Sequence, residues 1–115
     1  MAYVIHGSGQ AGNQVDIVVD VGSGTSRKAV GFYAYEDIAQ AATAAASRDP
    51  AVDNQAGTIP IDGAQSVTQS GVGDYDLTLF YWELADGLSG SQTFRFVAAG
   101  GTVLRAAAGV IVYDG

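Results

Sequence analysis

Residues 14–21, QVDIVVDV, alternate strictly: Val15, Ile17, Val19 and Val21 fall on one side of an extended chain, and Asp16 and Asp20 on the other. A period of two with β-branched residues at the apolar positions predicts a half-buried β-strand rather than a helix. The same pattern recurs along the chain. In Lys28–Tyr35, Val30, Phe32 and Ala34 oppose Tyr33 and Tyr35. In Tyr75–Leu84, Tyr75, Leu77, Leu79 and Tyr81 share one face, with Phe80 and Trp82 on the other. Gln92–Val97 sets Phe94 and Phe96 against Thr93 and Arg95. Thr58–Ile61 is a short apolar run closed by the turn pair Asp62-Gly63. Val103–Tyr113 is almost entirely apolar, as for a central strand covered on both faces or lying in an interface.

Glycine-rich punctuation separates these runs: Gly7-Ser8-Gly9, Gly22-Ser23-Gly24, Gly71-Val72-Gly73, Gly87-Leu88-Ser89-Gly90 and Gly100-Gly101. Short strands of similar length with closely spaced turns predict an all-β, antiparallel β-sandwich, of jelly-roll or Ig-like type. No internal repeat or linker interrupts it, so residues 1–115 read as one sandwich domain. One segment departs from the pattern. Asp37-Ile38-Ala39-Gln40 has capping-box spacing, an alanine-rich stretch runs on to Ser47, and Asp49-Pro50 closes it. This predicts a short helix over 38–47 crossing one end of the sandwich, with residues 48–57 as a surface loop.

The 115 residues are 48% apolar and only 15% charged, so the chain can bury about two-thirds of its unfolded surface and is not of disordered composition. It has no cysteine, which removes disulfides, thiolate nucleophiles and Cys-type zinc sites. Twelve acidic residues against five basic ones give a net charge of −7. That sign argues against nucleic acid, whose affinity comes from Lys and Arg on phosphates, and against anionic membrane. The N-terminus has neither the basic nor the apolar region of a secretory signal, and no apolar run approaches 18 residues. The expectation is a protein made in the cytoplasm and released by a route other than secretion.

Chemistry-bearing patterns fail on context. Gly7-Ser8-Gly9-Gln10-Ala11-Gly12 is a G-x-G-x-x-G, but a β-branched alternating run follows where a dinucleotide site needs a helix, so it reads as a hairpin loop. Gly22–Lys28 lacks the G-K-[ST] ending of a phosphate loop and is also followed by a strand. His6 is the only histidine and has no Gly-x-Ser-x-Gly elbow to serve. Asp74 and Asp76, or Asp49, Asp53 and Asn54, offer hard oxygen donors for calcium, though neither spacing is that of a calcium loop. No catalytic residue, cofactor or metal is assigned. The aromatics say more. With one face of each strand filling a core, some of Tyr33, Tyr35, Phe80 and Trp82 should face outward unless the sheets are covered, and these four form the candidate interface; ordinary core packing is the competing reading.

The order of segments carries a resemblance. Gly24-Thr25-Ser26-Arg27-Lys28 leads into AVGFYAYED (29–37); TIPIDG (58–63) precedes the aromatic strand LFYWEL (79–84); GSQTFRF (90–96) precedes the last strand, Ala107 to Gly115. Over residues 22–115 this resembles a loose family of β-sandwich domains in phage structural proteins and bacterial surface proteins, with an aromatic pair that runs Tyr-Trp instead of Trp-Tyr and with the alanine-rich segment inserted. The resemblance implies attachment or surface display without catalysis. The expected function is therefore that of a virion structural protein, first a head-decoration (cement) protein bound to the major capsid protein or another virion protein, and second a small tail or fibre component. It would be a homo-oligomer, trimer or dimer, located in the virion after assembly in the host cytoplasm. The alternative is a carbohydrate-binding β-sandwich module that stacks sugars on Trp82 or the tyrosines.

Overall fold

The alternating runs do form strands, and they pair into two antiparallel sheets. A computed structural model describes residues 2–9, 13–39, 41–48, 55–56, 66–69 and 75–114, with side chains described for 13–39, 41–48 and 76–113. The described strands are β1 (Ala2–Gly9), β2 (Gln14–Asp20), β3 (Arg27–Asp37), β4 (Thr43–Arg48), β5 (Gln55–Ala56), β6 (Ser66–Gln69), β7 (Tyr75–Glu83), β8 (Ser91–Ala99) and β9 (Val103–Asp114). One sheet has the order β1-β9-β3-β7-β6, the other β2-β8-β4-β5. The chain passes from one sheet to the other at nearly every connection; only β4–β5 and β6–β7 are successive strands that pair. The result is an all-β, sandwich-like fold.

The sheets close on a shared core built from one face of β2, β3, β7, β8 and β9. Val15, Ile17 and Val19 of β2, Phe94 and Phe96 of β8, Tyr33 and Tyr35 of β3, Phe80 and Trp82 of β7, and Val110 and Val112 of β9 are all buried. The rings interlock across the two sheets. Trp82 meets Phe94 edge-on with centroids 4.9 Å apart, and Phe96 lies 5.7 Å from Tyr33 and 6.0 Å from Phe80. Burying each such side chain contributes about 2–3 kcal/mol, and edge-to-face pairing adds to it. Gly31 makes room for this cluster: a Cβ there would stand 2.7 Å from Phe96 Cζ and 3.0 Å from Trp82 Cζ3. A glycine in mid-strand weakens the strand itself, and here the rings from β7 and β8 fill the space it leaves.

Three expectations are corrected. No helix forms among the described residues of 38–47: Ile38 and Ala39 lie in a turn, and Thr43–Arg48 is strand β4, paired with β8 from Thr43–Ala99 to Arg48–Phe94. Helix propensity in the alanine run is outweighed by tertiary pairing, because alternate residues Ala46 and Arg48 are buried while Thr43 and Ala45 are exposed. Gly7-Ser8-Gly9 is not in a hairpin loop. It is the end of β1, which pairs with the small residues of β9 from His6–Gly109 to Gly9–Ala106. Of the 48–57 loop, Gln55 and Ala56 form β5 against Arg48 and Ser47. The run Thr58–Ile61 lies outside the described residues, as do Asp49, Asp53, Asn54 and Asp74.

Candidate interaction face

The strands that bury Tyr33, Phe80 and Val110 turn their alternate residues to the other side of the five-stranded sheet. Pairing sets these in rows across β7, β3 and β9. Tyr81, Val30 and Ile111 form one row; Leu79, Phe32 and Gly109 the next; Leu77, Ala34 and Ala107 the third. Leu77, Ala34 and Ala107 are exposed, and Val30, Phe32, Leu79, Tyr81 and Ile111 are part-exposed. Charge is confined to the two ends. Glu83, Lys28 and Tyr113 make the row at one end, and at the other Glu36 pairs with Arg105 through a guanidinium–carboxylate contact. No third layer covers this face among the described strands.

The outer face of the four-stranded sheet has the opposite character. Gln14, Asp16 and Asp20 of β2, Ser91, Thr93 and Arg95 of β8 and Thr43 and Ser47 of β4 lie outward, and Val18 is its one large, strongly exposed apolar residue among the described ones. Arg95 grips Asp16 with two bonds of 2.9 Å, and this bond lowers the Asp16 pKa. At such exposure the pair contributes about 0–1 kcal/mol and mainly keeps the surface wet. One sandwich thus presents one wet face and one apolar face.

Two buried charged side chains hold the ends of the five-stranded sheet in place. Arg27, at the start of β3, is 2% exposed and has no acidic partner among the described residues. Its guanidinium donates to the carbonyls of Val21 (3.0 Å), Gly22 (3.1 Å), Ala85 (3.0 Å) and Leu88 (2.5 Å), tying the β2–β3 connection to the β7–β8 connection. Asp37, at the other end of β3, is fully buried behind a register shift in the β3–β9 pairing. Its carboxylate accepts the N–H groups of Ala39, Ala41, Ala42 and Thr102, at 3.1, 2.8, 2.7 and 2.7 Å, joining the β3–β4 turn to the β8–β9 turn. Gly101, at φ 61°, fits only because it has no Cβ, which would lie on the Asp37 carboxylate.

Burial pushes the Asp37 pKa up, but the four N–H donors outweigh it and hold the group down at about 2. The folded value lies below the unfolded one, which is roughly 3.9. Its contribution is therefore complete above about pH 4 and is lost as the pH falls toward 2. A carboxyl-carbon NMR titration should place Asp37 near 2, and the urea midpoint should fall between pH 4 and 2; a midpoint near 4 for Asp37 would contradict the four-donor account.

The four residues expected at an interface are in the core instead: Tyr33 is 0% exposed, Trp82 1%, Phe80 2% and Tyr35 5%. The tyrosine hydroxyls are satisfied inside, Tyr33 donating to the Asn13 carbonyl at 2.8 Å and Tyr35 to that of Ala42 at 3.3 Å. Burial pushes both hydroxyls up to about 12, with Asp76 adding to the shift at Tyr35. Both faces of β3 and β7 are apolar, so alternation alone cannot say which is inside. The outward set is the one containing Phe32, Leu79 and Tyr81.

No protein-family model matches the chain, and no curated protein matches it. The reading of function therefore rests on the two faces. Among the described residues, no group of three His, Asp or Glu side chains gathers as metal ligands would. Asp37 and Arg27, the buried charged groups described above, are saturated or nearly so by backbone, with Arg27 Nε the one buried side-chain nitrogen or oxygen without a partner among the described residues.

Proposed function

We propose that this is a non-enzymatic virion structural protein of jelly-roll fold, a head-decoration protein that coats the capsid as a homo-oligomer. The strand order supports the jelly-roll reading over the Ig-like one. The orders β1-β9-β3-β7 and β2-β8-β4-β5 describe eight strands whose first two lie in different sheets, with β6 added at one edge. An Ig-like sandwich pairs its first two strands in one sheet.

The observation that carries the functional reading is the apolar outer face of the five-stranded sheet. Its three central strands cover a plan area of about 400 Å², the size of the largest apolar patch on a typical soluble monomer, which is often a functional surface. Such a face is built to be covered by protein, and symmetric association covers it economically. The net charge of −7 fits this: self-repulsion restrains open-ended aggregation of a chain with one apolar side. Many weak contacts repeated over a lattice would then stabilise the shell by binding only its assembled form. The sugar-binding reading is weakened, since Trp82, Tyr33 and Tyr35 are enclosed and cannot serve as stacking platforms.

The test is copy number by quantitative mass spectrometry of purified particles from the source culture. Copies stoichiometric with the major capsid protein are expected. A handful per particle would move the protein to the tail or a vertex, and complete absence would overturn the virion reading and favour glycan binding.

A further inference from the structure

We propose that the turn between β7 and β8 is a self-modification site: Asp86 closes on the main-chain nitrogen of Gly87 to a succinimide, water opens the ring to an iso-aspartyl link, and the change loosens the clamp made by Arg27. The inference is independent of the reading of the apolar face.

The turn meets the requirements of ring closure. Leu88 N–H donates to the Ala85 carbonyl at 3.0 Å, so Asp86 and Gly87 are the two central residues of a β-turn. Ala85, Asp86 and Gly87 are exposed, and no acceptor takes the Gly87 N–H among the described residues. A Cβ built on Gly87 would meet nothing within 4 Å, so the space around the residue is open. Glycine also leaves the main chain free to rotate into the geometry of attack. Nucleophile and electrophile on adjacent residues react without the entropy cost of an encounter.

The Gly87 nitrogen attacks the Asp86 side-chain carboxyl carbon. A C–N bond forms, and the carboxyl hydroxyl and the amide proton leave as water. Hydrolysis returns one water to the ring. Opening at the side-chain carbonyl restores aspartate; opening at the main-chain carbonyl routes the backbone through the side chain, one methylene longer and unchanged in mass. The other described aspartates followed by another described residue in a strand or turn lack this arrangement. Asp16, Asp20, Asp37 and Asp76 precede Ile17, Val21, Ile38 and Leu77, whose bulk crowds the nitrogen. The N–H groups of Val21 and Ile38 are also already donated, to Gly90 and Thr102 at 3.0 and 3.2 Å.

The site matters because of what the turn holds. Ala85 and Leu88 flank the reacting pair, and the carbonyls of both accept from Arg27 Nη2. The Asp86 carboxylate accepts the N–H of Ser26 at 3.3 Å, and Ser26 is the one non-glycine residue at positive φ, 55°, among the described ones. An added methylene spreads the two carbonyls and moves the carboxylate off Ser26. Three bonds that tie the β2–β3 connection to the β7–β8 connection thus lose their geometry in one event, with a buried guanidinium left short of acceptors and a strained residue left without its tether.

Gly87→Ala is the deciding variant, because its Cβ enters open space and Gly87 is not among the residues at positive φ. Wild type and variant, each checked for native Trp82 emission, are held for weeks in mildly acidic buffer at physiological temperature. Iso-aspartate is located residue by residue by electron-transfer fragmentation of peptides, so that Asp62 and Asp114, which also precede glycine, are scored apart. The expected result is iso-aspartate at Asp86 forming several-fold faster than at Asp16, Asp20, Asp37 or Asp76, and several-fold slower in Gly87→Ala. Asp86→Asn, which releases ammonia in place of water and is the better electrophile, should form it several-fold faster than wild type. Asp86 reacting no faster than the strand aspartates, or at equal rates in wild type and both variants, would overturn the site. The modified fraction of wild type should unfold at a lower urea concentration, while aged Gly87→Ala keeps its midpoint. Protein carrying iso-aspartate at Asp86 with an unchanged midpoint would overturn the link to Arg27.

Discussion

Replacing Trp82 with alanine is expected to cost about 4 kcal/mol of folding free energy, while the same truncation at its neighbour Tyr81 costs under about 1 kcal/mol. Trp82 is 1% exposed and packs on Phe80, Phe94 and Phe96, so its loss leaves a cavity between the two sheets that neither can close. Tyr81 lies on the opposite side of the same strand, with its hydroxyl donating to Glu83 at 3.0 Å, and gives up only part-exposed area. In a chain of this size 4 kcal/mol lowers Tm by about 15 °C. Urea unfolding followed by far-UV circular dichroism reads both variants. Equal losses at the two positions would mean that the inward and outward faces of β7 are misassigned. The wild-type protein offers an independent check, since emission from Trp82, the only tryptophan, should resist a soluble quencher.

Replacing Arg27 with methionine is expected to cost about 3 kcal/mol or more. Methionine keeps most of the packed stem, so the loss is that of the guanidinium, which takes one donor from each of four carbonyls in two connections, that of Ala85 keeping the N–H of Leu88. An orphaned buried acceptor costs on the order of 1 kcal/mol or more, with the loop carbonyls partly repaid by entering water. Lysine should recover less than half, because a single ammonium cannot reach four acceptors in the plane that the guanidinium spans. The buried Nε without a partner is a cost that the wild-type protein already bears, and it moderates the expected difference. A midpoint for Arg27→Met within error of wild type would show that the four bonds are not made in solution.

The strands were legible because alternation is a direct consequence of the pleat: β2, β3, β7 and β8 lie where period-two runs place them, and β9 lies where the almost entirely apolar run does. The reading of 38–47 as a helix went wrong for an instructive reason. Asp37 does receive backbone N–H groups just ahead of it, as an N-cap does, but from Ala39, Ala41, Ala42 and the distant Thr102. A cap signal marks a carboxylate that satisfies turn amides; whether a helix follows depends on what the next residues can pair with, and here it is β8. β1 went unread as a strand because its glycine-rich end resembles a loop, and its pairing with the small residues of β9 is a long-range fact that local sequence does not carry.

The site was half legible. The two faces of β3 and β7 could be listed from sequence, yet large aromatics on one side and Phe32, Leu79 and Tyr81 on the other give alternation nothing to choose between. A usable signal was present in Gly31. A glycine at mid-strand that shares its face with Tyr33 and Tyr35 marks the side where bulky rings from another strand must fit, and Phe96 and Trp82 fill that space. The wet outer face of β2 and β8 was plain throughout, because Asp16 and Asp20 alternate with Val15, Ile17, Val19 and Val21.

The most direct test of the apolar face as the working surface compares Phe32→Asp with Val18→Asp, two outward substitutions on opposite sides of the sandwich. Both should fold, as judged by Trp82 emission, and each is mixed with particles lacking the native protein and counted by quantitative mass spectrometry. The account predicts near-wild-type occupancy for Val18→Asp and a loss of most bound copies for Phe32→Asp. Equal occupancy by the two folded variants would contradict it.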